Sequence, residues 1–155
     1  MKKTILLFSL LPIAFVSCNN GNTEKQFTTN QIKNEKNMQV TEEQKVGILQ
    51  AIDLYIEAGN KGDSKTAKEA FVPTATVSWV ENGELKSLPV QGLYDFFDQS
   101  GSLKSSYELA SINVAEDVAT VRIESQFGTA KFADMFAMVK DGDKWKIVSK
   151  VYHAK

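Results

Sequence analysis

From Tyr107 onward the chain is a series of strand-length segments joined by turns too tight for any but antiparallel neighbours. Alternating apolar and polar residues fill about Tyr107–Val114, Val118–Phe127, Ala130–Lys140 and Trp145–His153. Between them, Glu116-Asp117, Gly128-Thr129 and Gly142-Asp143 have the composition of two-residue turns. A connection that short cannot cross over to a parallel strand, so these segments form a meander.

The turns also set a register. Gly142-Asp143 places Met138 opposite Ile147, Phe136 opposite Ser149, Asp134 opposite Val151 and Phe132 opposite His153. Gly128-Thr129 places Phe136 opposite Val121, Asp134 opposite Ile123 and Phe132 opposite Ser125. Glu116-Asp117 places Val114 opposite Ala119, Ile112 opposite Val121 and Glu108 opposite Ser125. All three turns put Ile112, Val114, Val121, Ile123, Phe127, Phe132, Phe136, Met138, Trp145, Ile147 and Val151 on one face. A slip of one residue would turn that strand's apolar side chains outward, so the agreement supports the register. Four polar residues interrupt the apolar face: Glu108, Ser125, Asp134 and His153. Asp134 and His153 are expected as a diagonal pair and Glu108 and Ser125 as a direct one. The opposite face is mixed: Met135, Ala137, Val148 and Tyr152 suit a homodimer contact, and its charged residues suit water.

Upstream, Thr41-Glu42-Glu43-Gln44 reads as a capping box, followed by Val46, Leu49, Ile52, Tyr55 and Ile56 at helical spacing. Gly59 or Gly62 ends that helix. Asp63 caps a second, shorter helix over Lys65–Phe71, closed off by Pro73. "VSWVENGELKSL" is a hairpin about Asn82-Gly83, and "GLYDFFDQS" is a third short helix. Helices first and a meander afterwards give an α+β domain over 41–155, with one core.

The first residues carry a different signal. Lys2 and Lys3 precede an apolar run from Thr4 to Val16, with Ser17 and Cys18 after it. That is the layout of a signal peptide over 1–17, too short for a spanning helix. "FVSC" resembles the lipobox of bacterial lipoproteins, with Phe15 where Leu is usual. The resemblance implies cleavage before Cys18, lipidation of that residue and a cell-envelope location. Asn19 after it resembles lipoproteins sorted to the outer membrane. Residues 18–40, rich in Asn, Thr, Lys and Gln, read as a flexible tether. Removing Lys2 and Lys3 takes the formal charge from −1 to −3 (−1 minus +2), which disfavours nucleic acid as a partner. One cysteine and one histidine cannot build a usual zinc ligand set, so no metal is expected. No cofactor is expected either, and the missing Walker and dinucleotide fingerprints argue against nucleotide chemistry.

"YIEAGNKGD", a short helix and "AFVPTATVSWV" are similar to the start of NTF2-like domains. "FADMFAMVKDGDKWKIVSKVYH" resembles the end of the putative lumazine-binding (SnoaL-like) branch of that superfamily. Gly142, Trp145, Ile147, Val148, Lys150, Tyr152 and His153 carry the match, with Tyr152 where Phe is common and one extra residue between Gly142 and Trp145. The resemblance implies a cone: a strongly curved antiparallel sheet wrapped over the long first helix, with a pocket at its open end. The ligand-binding candidates are then Tyr55, Trp79, Phe96 (or Phe97), Glu108, Ser125, Asp134 and His153.

Three functions fit. The first is an envelope-anchored module binding a small, partly apolar molecule, without assigned catalysis, in which aromatics give area and polar groups orient the ligand. The alternative is an isomerase- or cyclase-like enzyme, of the ketosteroid-isomerase kind, with Asp134 or His153 as acid–base and Tyr55 or Trp79 as oxyanion donor. The third is a protein-interaction scaffold. Any one of the aromatics also suits simple core filling, and Asp134 with His153 a structural hydrogen bond. A Ser125–Asp134–His153 triad is rejected because "ESQFG" holds no nucleophile elbow.

Overall fold

A computed structural model describes residues 40–155. The expected leader, Cys18 and all of the tether but its last residue lie outside the described residues.

The first helix, α1 (Glu42–Lys61), starts at the expected capping box. The Gln44 N–H donates to Thr41 Oγ1 at 3.2 Å, and the Thr41 N–H donates to Gln44 Oε1 at 3.0 Å. It ends at Gly62, whose φ of 63° lies in the left-handed region that glycine adopts without strain. Gly59 stays inside the helix for another reason. A Cβ there would overlap the Phe127 ring and sit 2.6 Å from Ser105 Oγ, so glycine lets helix and sheet approach. The buried stripe holds Ile48, Ala51, Ile52, Tyr55 and Ile56. Val46, expected on that stripe, is exposed, and Ile48 takes its place.

Next come α2 (Ser64–Ala70), β1 (Phe71–Glu81), β2 (Glu84–Pro89) and α3 (Gln91–Ser100). Asp63 caps α2 by accepting the Lys65 N–H at 2.9 Å. Asn82 and Gly83 both have positive φ, 52° and 80°, as the expected tight hairpin turn requires. The carboxylate of Asp98 on α3 accepts both the Ser64 N–H and hydroxyl at 2.8 Å, tying α3 to the start of α2.

The remaining strands are β3 (Ser105–Ala115), β4 (Val118–Phe127), β5 (Ala130–Asp141) and β6 (Lys144–Ala154). The six-stranded sheet runs β2-β1-β6-β5-β4-β3. It is antiparallel except between β1 and β6, which run parallel. Helix α1 touches both β6 and the edge strand β3, so the sheet curls around one helix. The core between them joins the stripe of α1 to Val121, Ile123, Phe127, Phe136, Met138, Trp145 and Ile147.

The three meander turns close as expected, with Ala115 opposite Val118, Phe127 opposite Ala130 and Asp141 opposite Lys144. Two bulges then change the register. In β3, Ala110 has no partner, so Tyr107 rather than Glu108 opposes Ser125. In β6, Val148 is skipped: Met138 pairs with Ile147 and Ala137 with Ser149. Beyond that point Asp134 faces Tyr152 and Ala133 faces His153. The same residue is skipped on the other side of β6. There β1 spends Val72–Ala75 between its pairs to Ile147 and Ser149, and Pro73 in that stretch has no N–H to give.

Candidate functional site

The Val148 bulge reverses what the end of β6 presents to the core. Plain alternation puts Val151 and His153 inside and Lys150 and Tyr152 outside. In the structure Lys150 is buried, Tyr152 is half-buried, and Val151 and His153 are exposed on the other face. The expected Asp134–His153 pair is therefore not formed, and the two residues lie on opposite faces of the sheet. Glu108 is corrected for the same reason, because the Ala110 bulge turns it to the exposed face opposite Glu124.

What Asp134 has instead is Lys150. Asp134 is 0 % exposed and Lys150 is 4 % exposed. The Lys150 ammonium donates to Asp134 Oδ1 at 2.7 Å. The other carboxylate oxygen accepts from Ser125 Oγ at 2.6 Å and from the Tyr55 hydroxyl at 3.3 Å. A buried carboxylate without partners would be expensive, and here one cation and two hydroxyls meet it. Ser125 on β4, Asp134 on β5, Lys150 on β6 and Tyr55 on α1 thus converge through four elements.

Above this network lies a cavity of about 180 Å³. Lys150, Tyr152 and Tyr55 line it together with Trp79 on β1, Leu88 on β2, Phe132 on β5 and one side of α3 that includes Phe96. Ser125 and Asp134 support Lys150 without lining the cavity. Tyr152 stacks on Trp79, with ring centres 5.5 Å apart and planes at 20°. The Lys150 nitrogen lies 4.0 Å from the centre of the Tyr152 ring, and 5.7 and 5.9 Å from those of Tyr55 and Phe132. It therefore sits in an aromatic cage.

Burial pushes the Lys150 ammonium below the usual lysine range, and the Asp134 charge opposes that shift. Burial holds the Tyr55 phenol well above its usual value, with the Asp134 charge adding to the effect. Burial raises Tyr152 as well. At neutral pH both phenols are neutral donors. An ammonium has three N–H groups, and Lys150 gives one of them to a protein acceptor among the described residues. The other directions face rings and cavity.

Of the residues singled out from sequence, Tyr55, Trp79, Phe96, Ser125 and Asp134 gather at or beneath the cavity, and Glu108 and His153 do not. Lys150 and Tyr152 were missed. One signal pointed to Lys150: a lone carboxylate on an apolar sheet face needs a counter-charge. His153 meets that need in a regular strand, and Lys150 meets it only through a bulge. A wider depression of about 690 Å³ lies between α1 and the start of β6. Its charged groups, Asp53, Glu57, Glu69 and Lys144, are at its surface rather than in a buried network.

A curled sheet over one long helix, with a cavity at its open end, defines an NTF2-like domain. The chain belongs to the putative lumazine-binding family, whose model matches residues 43–153. An NTF2-like protein of Shewanella baltica is similar in structure, with a TM-score of 0.68, 31% identity and coverage of 74% of this chain and 97% of that one. One from Methylobacillus flagellatus has a TM-score of 0.69 at 28% identity, covering 76% of this chain and 96% of that one. Aldolase FrzH of a Cladobotryum species is 30% identical over 103 residues, 64% of this chain and 82% of that protein.

Proposed function

We propose that the domain binds a small, partly apolar molecule in the aromatic cavity, oriented by the Lys150 ammonium. The observation that carries this reading is a buried lysine, paired through one N–H, with its nitrogen beside an aromatic cavity. A fold that buries Lys150 and exposes Val151 gives up apolar burial to place a charge there. Such local conflicts concentrate at functional sites. The ligand is expected to bring an acceptor oxygen for the free N–H groups and a flat apolar body for the Trp79–Tyr152 stack. The cavity, about 180 Å³, suits one small ring or a short chain.

Native mass spectrometry of the gently purified protein tests this. The expected result is a reproducible extra mass whose occupancy falls in Trp79→Ala. A clean apo mass, together with no response of the Trp79 indole NMR signal to small aromatic alcohols, would overturn it.

A second reading, an enzyme acting on carbonyl compounds, is favoured by the named activity of the 30% identical aldolase relative and by the Asp134–Lys150 pair. In it Lys150 takes the acid–base place that His153 cannot. Kinetic screening of small aldehydes and ketones tests it, and turnover unchanged in Asp134→Asn would exclude the role given to the pair.

Around this domain we further propose an envelope anchor at Cys18, carried by the leader pattern and "FVSC". Palmitate labelling lost in Cys18→Ser is the expected result, and labelling that persists would refute it. The exposed outer sheet face, with Met135 and Val151 adjacent across β5 and β6, suits a homodimer. Sedimentation of Met135→Glu tests that contact, and an unchanged mass would exclude it.

A further inference from the structure

We propose that Lys150 bonds covalently to its ligand, forming an imine with a small aldehyde or unhindered ketone in the aromatic cavity. This rests on the binding reading above and narrows its ligand to an electrophilic carbonyl. Three features carry it. The Lys150 nitrogen is the cationic group that lines the cavity, and its stem is buried, so the reacting atom is held in place. Asp134 Oδ1 lies 2.7 Å from that nitrogen, within reach to take and return a proton. Ser125 and Tyr55 both donate to the other oxygen, Oδ2, which fixes the carboxylate while Oδ1 moves the proton.

The step balances within the pair. Asp134 accepts a proton from the Lys150 ammonium, leaving a neutral amine that rotates about its Cε–Nζ bond toward the cavity. Its lone pair forms the N–C bond as the carbonyl π pair moves to oxygen. A proton passes from that nitrogen to that oxygen, giving a neutral carbinolamine. Asp134 then returns its proton to the hydroxyl group and the C–O bond breaks. Water leaves, and the nitrogen pair closes a protonated imine beside the restored carboxylate. Ammonium and carbonyl have become iminium and water, with no oxidant or metal required. Burial lowers the basicity of Lys150, which favours the amine that begins the sequence.

The test is reductive trapping. The purified full chain is incubated with benzaldehyde and cyanoborohydride, and the adduct is located by peptide mass mapping. The expected result is one adduct per chain at Lys150, formed faster than at any exposed lysine, since burial lowers the basicity of its nitrogen and Asp134 Oδ1 is placed to take the proton. Lys150→Arg keeps the charge beside Asp134 but offers no amine to condense. It is expected to abolish that adduct with the circular dichroism spectrum unchanged. Benzyl alcohol, of the same shape without the electrophile, separates the two layers of the proposal. Benzyl alcohol binding with labelling spread over surface lysines would overturn the imine and leave the binding reading standing. Failure of both probes to engage the cavity would overturn both.

Discussion

Replacing Lys150 by methionine is the most direct test of the register that builds the site. Methionine fills much of the lysine stem's volume and removes only the cation. Asp134 would then remain fully buried with its two hydroxyl donors, Ser125 and Tyr55, and no counter-charge. Removing one partner of a buried pair costs about 3–5 kcal/mol. The two hydroxyls that stay place the expectation near the lower end, about 3 kcal/mol. Set against a typical total of about 5–15 kcal/mol, that is a large fraction of the domain's stability. Adding Asp134→Leu should recover only part of the loss, because Ser125 and Tyr55 both lose their acceptor, at about 1–3 kcal/mol for a buried hydroxyl left unpaired. His153→Ala should stay within about 0.5 kcal/mol, as exposed substitutions do. Urea unfolding followed by circular dichroism, with unchanged m-values, reads all three variants. A β6 without the bulge would reverse the order, making Lys150→Met nearly free and His153→Ala costly. A Lys150→Met loss below about 1 kcal/mol, the range of an exposed ion pair, would refute the buried pair.

Other outcomes follow from the same geometry. Gly59→Ala gains about 1 kcal/mol of helix propensity. It also drives a methyl into Phe127 and Ser105, an overpacking cost of about 1–3 kcal/mol, so thermal melts should show net destabilisation. Thr41→Ala removes the α1 cap and should cost about 1 kcal/mol in the same melts. All four tyrosines have folded-state values raised above the unfolded value. Their contribution is therefore complete below pH ~10, the unfolded phenol's value, and is lost as pH rises beyond it. Alkaline unfolding monitored by phenolate absorbance should show it, and Tyr55→Phe should make the loss shallower. Trp79→Ala should weaken any cavity ligand by roughly two- to twelve-fold, the range of a stacking contribution of about 0.5–1.5 kcal/mol, read by NMR titration.

What the residues disclosed before the structure divides along a physical line. Local chemistry gave the elements. The Thr41–Gln44 box, the Asp63 cap, Asn82-Gly83 and the three meander turns act within a few residues, and each is where it was expected. Register beyond a bulge depends on partners far along the chain. Nothing in "KWKIVSKVYH" marks Val148 as the skipped residue, because alternation through Val151 and His153 looks better on hydrophobic grounds. The structure departs from it where Asp134 can be met by Lys150. Glu108 was misplaced for a related reason: Ala110 is small and neutral and leaves no trace as a bulge. Tyr55 and Trp79 needed only their element and its facing, so the sequence was sufficient for them.

The place of β6 in the sheet bears on how the domain is made. This strand is last in the described chain, yet it lies between β1 and β5, inside the sheet. A growing chain can complete the β1–β2 hairpin and the β3–β5 meander early, but these halves have no seam until β6 arrives. Its contacts with β1 join residues as far apart as Phe71 and Ile147, the kind of long-range closure that slows folding. Lys150 comes with that strand, so the sheet and the cavity's charge are completed together. A ribosome-bound or C-terminally nicked chain lacking β6 would lose Trp145 and Ile147 from the core that α1 packs into. It would also hold Asp134 with no lysine beside it, because the pair forms only when the last strand joins the sheet.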